Sequence, residues 1–215
     1  FSGFENKWNL FWESELSEEV EPTRTAIEKN IQINKDFITK TFIHLSVLFN
    51  KKKLPMTIRV FLIPLPRDIT AGGGKFVSPV GCISIEASGV RAKKQRTLEI
   101  ILHEAVHLYF ENNRYKKMVS EALGELASEV KEKIKRTYKV STVEFLLREI
   151  IATSSTISST LNSHETSPYS KLLNNMISKL KPQLDFYIEE EKAIDKIFIR
   201  ELLSLIMKEF QQVKT

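Results

Sequence analysis

The stretch Thr97-Leu98-Glu99-Ile100-Ile101-Leu102-His103-Glu104-Ala105-Val106-His107-Leu108-Tyr109-Phe110 decides how this chain is read. It contains no proline or glycine and is built from helix formers and large apolar residues. It therefore predicts a helix, capped by Thr97 and running to about Asn113. Residues four apart on a helix stand one turn apart on one face. His103 and His107 would then present two imidazoles to a common point, with Glu104 displaced around the helix from both. The competing reading is a buried helix whose two histidines hydrogen-bond within a core.

The pentapeptide His103-Glu104-Ala105-Val106-His107 has the form H-E-x-x-H, which suits two metal ligands and a general base. The remaining supply of soft ligands is small. Besides these two histidines the chain has His44, His164 and a single cysteine, Cys82. A cysteine-based zinc finger and an internal disulfide framework are both excluded. His44, among apolar neighbours on a helical stretch, reads as a packed core histidine.

A catalytic zinc needs a third protein ligand and an open position. A metzincin would place glycine at position 110 and histidine at position 113, where this chain has Phe110 and Asn113. His164 is a distant histidine that could serve. A glutamate on the next helix is the third kind of candidate: Glu121 in Ser120-Glu121-Ala122-Leu123-Gly124-Glu125, with Glu125 and Glu129 as rivals. Glu125 could instead accept the N–H of a ligand histidine and fix its tautomer.

Outward from this centre, prolines and glycines crowd between residues 55 and 89, so strands and turns are expected there and helices elsewhere. Met56 to Leu65 reads as a buried strand and Gly72 to Gly74 as a mobile loop. Lys75 to Ala87 reads as one or two strands. Trp8, Phe11 and Trp12 suggest an N-terminal arm. Pro22-Thr23 precedes one long amphipathic helix ending near Lys51. Further helices are predicted over about Lys117 to Arg136, Val143 to Leu161, Tyr169 to Leu180 and Pro182 to Gln212. The sum is an α+β plan within a single domain over 1–215: arm and helix to 54, sheet region 55–96, active-site and glutamate helices 97–136, and a helical C-terminal part 137–215.

HEAVH followed by SEALGELA resembles the gluzincin group of zinc metallopeptidases, the thermolysin-like clan, over roughly residues 75 to 130. The resemblance implies a zincin-like fold with a small mixed sheet packed on the active-site helix. It implies Zn2+ held by His103, His107 and Glu121, with Glu104 as general base and Glu125 as the supporting carboxylate. Ala122 stands where many members have glycine, and the interval from His107 to Glu121 is shorter than in the best-known members. In zincins an edge strand also lies along the cleft, antiparallel to the bound peptide, and Cys82 to Ala87 would take that place.

The expected activity is hydrolysis of a peptide or protein substrate. Bound zinc would acidify water and polarise the scissile carbonyl, while Glu104 moves the proton. His164 and Tyr169 are the candidate donors to the oxyanion. The alternative is a zincin-like scaffold that binds or regulates without hydrolysis. The net charge of +5 is mild, and no RNA-binding or finger motif accompanies the basic run Arg91 to Arg96, so no nucleic-acid partner is expected. No apolar run is long enough to span a bilayer. The chain begins at Phe1 without an initiator Met, so a cytoplasmic protein and a secreted one trimmed of a signal peptide both fit.

Overall fold

The computed structural model describes residues 17–50, 58–63, 71–77, 80–86, 96–110, 113–156 and 167–212. The expected arm around Trp8, Phe11 and Trp12, the basic residues 91–95 and His164 lie outside the described residues. In chain order the elements are helices α1 (Ser17–Ile33) and α2 (Lys35–Leu48), strands β1 (Ile58–Ile63), β2 (Ala71–Val77) and β3 (Val80–Glu86), and helices α3 (Arg96–Phe110), α4 (Asn113–Gly124), α5 (Ser128–Tyr138), α6 (Val143–Ser155), α7 (Pro168–Glu189) and α8 (Lys196–Gln212). Among the described residues the class is α+β, mostly helical with one small sheet. Among the described residues no helix is long and apolar enough to cross a membrane.

By internal packing the chain divides into two compact units, Phe1–Lys40 with Met56–Leu108, and Thr41–Pro55 with Tyr109–Thr215. The first holds the sheet, whose strand order is β1-β3-β2. β1 runs parallel to β3, with Val60 opposite Ile83. β2 runs antiparallel to β3, from Ala71 opposite Glu86 to Val77 opposite Val80. Two expectations are corrected here. Gly72, Gly73 and Gly74 are paired with Ile85, Ser84 and Ile83 inside β2 rather than forming a loop. A glycine run lacks side chains but keeps its backbone donors and acceptors, which a β-branched neighbour strand can hold in a ladder. β3 is the central strand, hydrogen-bonded on both sides, so its edges are not free for a peptide. Among the described residues the sheet's edges are β1 and β2, and a strand added to it would pair with one of them.

The first unit also carries α3 through Leu108. Leu98, Leu102, Ala105 and Val106 are buried, and Ile83 is buried at the centre of β3. The helix begins at Arg96, so Thr97 sits inside its first turn rather than capping it. α1 begins before Pro22 rather than after it. The single long helix expected next is interrupted only at Asn34, whose side-chain amide donates to the Asn30 carbonyl at 2.8 Å. Backbone bonds continue through the break, from Asn34 N to Asn30 O at 3.0 Å and from Ile38 N to Asn34 O at 2.9 Å.

In the second unit an aromatic knot gathers around Phe49. Its ring meets those of Tyr109, Phe110 and Tyr115 at centroid distances of 5.3, 5.1 and 5.0 Å. The carbonyl of Leu48, left over at the end of α2, accepts from Tyr115 Oη at 3.2 Å and from Ile194 N at 2.8 Å. These bonds satisfy a helix-end group that would otherwise be buried without a partner. α6 is the central helix, packed against α4, α5 and α7, and every residue from Ile150 to Thr156 is buried.

Helix boundaries shift for local reasons. The helix expected over Lys117 to Arg136 is two helices, because α4 stops at Gly124, a weak helix former, and the chain turns before Ser128. α6 ends at Ser155, where Thr156 Oγ1 takes the carbonyls of Ala152 and Thr153 at 3.1 and 3.2 Å. α7 runs unbroken through Pro182, where a new helix was expected. Leu180 and Leu184 on either side of it are buried, and packing of that face outweighs the lost backbone bond.

Candidate metal centre

The two histidines of the pentapeptide meet as the helical spacing requires. His103 Nε2 and His107 Nε2 lie 3.0 Å apart, with ring centroids 4.8 Å apart and planes at 73°. Two nitrogens bound to one tetrahedral zinc at about 2.0–2.1 Å stand roughly 3.3 Å from each other. The observed gap is close to that bite, so the donor pair fits a small divalent ion. The same gap lets one imidazole N–H face the lone pair of the other. Both rings are half-buried, beside the buried stripe of Leu102, Ala105 and Val106. Glu104 is likewise half-buried and follows His103 in the helix, a position from which its carboxylate can work beside the pair.

The carboxylates read from the sequence lie in the second unit and have other partners there. Glu121, on α4, is exposed, with Oε2 3.2 Å from Lys196 Nζ of α8 and Oε1 4.0 Å from Lys117 Nζ. Glu125 lies past the end of α4. Its Oε2 accepts from Arg200 Nε at 3.1 Å, Arg200 Nη2 donates to its Oε1, and Lys196 Nζ is 3.8 Å from Oε1. The hydrogen bonds from Arg200 hold the Glu125 carboxyl below its ordinary range. Glu129, on α5, pairs with Lys133.

One acidic residue of the second unit escaped the sequence reading. Glu149 lies on α6, half-buried, immediately after Arg148 and before the fully buried run from Ile150. The Arg148 guanidinium sits 5.5 Å from the centroid of Phe110, the last residue of α3. Tyr169, in the first turn of α7, is half-buried; burial and then the negative charge of Glu149 push its phenol well above the ordinary range. The signal was present in the sequence: Arg148-Glu149 is the one adjacent charged pair in an otherwise apolar helical stretch, Phe145 to Ala152. Comparisons with protein families, with characterised proteins and with solved structures return no match.

Proposed function

We propose that His103 and His107 hold one divalent metal ion with a glutamate as third donor, and that the protein is a zinc-dependent metallopeptidase of zincin-like fold. The observation that carries the reading is the convergence of the His103 and His107 Nε2 atoms to 3.0 Å on one helical face. Glu121 is the third ligand that the sequence offers, and it would have to leave Lys196 to serve.

Zinc bound by two histidines and a glutamate supplies Lewis acidity to water and to a scissile carbonyl. The residues of the chain do the rest. Glu104 accepts the proton of the attacking water and returns it to the leaving amine. The half-buried setting of the histidines shields the reacting groups from bulk water and strengthens the electrostatics among them. Tyr169 stays a protonated donor at neutral pH, which suits the oxyanion role proposed for it. His164 is the second donor proposed for that role.

Metal analysis with a peptidase assay on a mixed peptide library tests the reading. The wild type should carry about one zinc per chain, lost in His103→Ala and His107→Ala. Glu104→Gln should retain the metal and lose hydrolysis by at least about a hundredfold. Metal retained in both histidine variants, or full activity in Glu104→Gln, would refute it. Metal binding without hydrolysis in the wild type would instead support a binding or regulatory scaffold.

A further inference from the structure

The second unit carries a charge cluster whose signs run against the helices that bear it. Glu121 lies in the last turn of α4 and Glu125 just past its end, where the helix dipole is negative and favours cations. Lys196 opens α8 and Arg200 follows one turn later, where the dipole is positive and favours acids. Neither helix gains from these residues by itself; the two pairs gain from each other. Lys196 Nζ stands between the glutamates, 3.2 Å from Glu121 Oε2 and 3.8 Å from Glu125 Oε1. Lys117 Nζ lies 4.0 Å from Glu121 Oε1. Arg200 donates to both oxygens of Glu125. Three cations thus share two carboxylates. If Glu121 is withdrawn, Lys196 still has Glu125 beside it, and Glu125 still has Arg200, so no charge is stranded.

We infer that Lys196 is a latch on metal loading: its ammonium holds the Glu121 carboxylate in the contact between α4 and α8, and a divalent cation obtains Glu121 as third donor only by breaking that contact. The inference rests on the metal-centre reading with Glu121 as donor and deepens it, from the donor to what regulates its availability. The latch is weak, since an ion pair this open to solvent changes an equilibrium constant by at most about fivefold. It sets a threshold for the metal and does not bar it. It also ties metal affinity to ionic strength, because exposed charges are screened by salt. A purely structural role for the pair predicts something else. Removing Lys196 would then loosen α8 and leave the metal unaffected.

The test uses the full chain as wild type, Lys196→Met, Arg200→Met, Glu121→Gln and the double variant Lys196→Met with Glu121→Gln. Zn2+ affinity is measured by competition with a chromophoric chelator at low and high salt, and helix content by far-UV circular dichroism. Lys196→Met should tighten zinc binding by about three- to fivefold at low salt, and the gain should shrink at high salt. Arg200→Met removes the same charge from the same helix but frees Glu125 instead, so it should change the affinity by less than about twofold. In the Glu121→Gln background Lys196→Met should change nothing, because the shared carboxylate is gone. Should Lys196→Met fail to fold, Lys196→Gln takes its place. Zinc binding in Lys196→Met no tighter than in wild type or in Arg200→Met, or a gain that survives Glu121→Gln, overturns the latch while the metal centre stands. Glu121→Gln binding zinc as tightly as wild type overturns Glu121 as donor and the latch with it, and a wild type that binds no zinc overturns the metal centre as well.

Discussion

Exchanging Glu121 for glutamine asks whether this carboxylate completes the metal centre, and the change should separate affinity from stability. Glu121 is tied to Lys196 at 3.2 Å, with side-chain exposures of 44% and 38%. An ion pair that open to solvent contributes about 0–1 kcal/mol. Glu121→Gln should therefore cost less than about 1 kcal/mol in chemical denaturation. Removing a group that merely orients a ligand weakens metal binding by about 10- to 100-fold, so deleting a direct donor should reach at least the upper end. At about 1.4 kcal/mol per tenfold that is about 2.8 kcal/mol of binding free energy. Glu121→Gln should show this loss in chelator competition at constant pH, with helix content unchanged. Zinc affinity within twofold of wild type would refute Glu121 as the third ligand.

Two further outcomes test the second unit. Tyr115→Phe removes the buried bond to the Leu48 carbonyl, but Ile194 N still reaches that oxygen at 2.8 Å. No acceptor is orphaned, so the cost should be near the lower end of the usual range, about 0.5–1 kcal/mol by urea denaturation, and a loss above about 2 kcal/mol would contradict it. Glu209 is buried on α8 and accepts from Lys179 and from Asn175 at 3.0 Å, and these bonds hold its carboxyl below the ordinary value of 4.5. A depressed carboxyl stabilises the fold above its unfolded pKa and loses that contribution as pH falls through the folded one. Glu209→Gln should cost about 2 kcal/mol at neutral pH, less than a fully buried pair because Lys179 is 47% exposed. The gap between variant and wild type should narrow below about pH 4.5, and a gap that stays constant would show that charge is not its source.

What was legible in the sequence followed the range of the interactions involved. The helix bearing His103 and His107 is local: spacing and propensity place it, and the meeting of the two imidazoles follows from one turn of helix. The α+β class was readable from where prolines and glycines fall. The order of the strands was not, because β1 pairs with β3 across an intervening strand, a long-range choice that puts the expected edge strand in the middle. Gly72 to Gly74 misled for a related reason, since a glycine run signals a turn locally but can be held straight by the strand beside it. Pro182 misled through packing, its helix kept whole by the buried residues around it.

The carboxylates show the same limit at the level of the site. Glu121 and Glu125 are near the histidines in sequence, yet what decides their availability is α8, seventy-five positions further on, which brings Lys196 and Arg200 to them. Glu149 shows the same limit within the second unit. Its helix is buried from Ile150 onward, and a carboxylate at the margin of such a helix loses hydration that an apolar residue would never have needed. Its charge is felt by Tyr169, twenty positions further on, where it adds to burial in pushing the phenol up, a coupling that no local spacing announces.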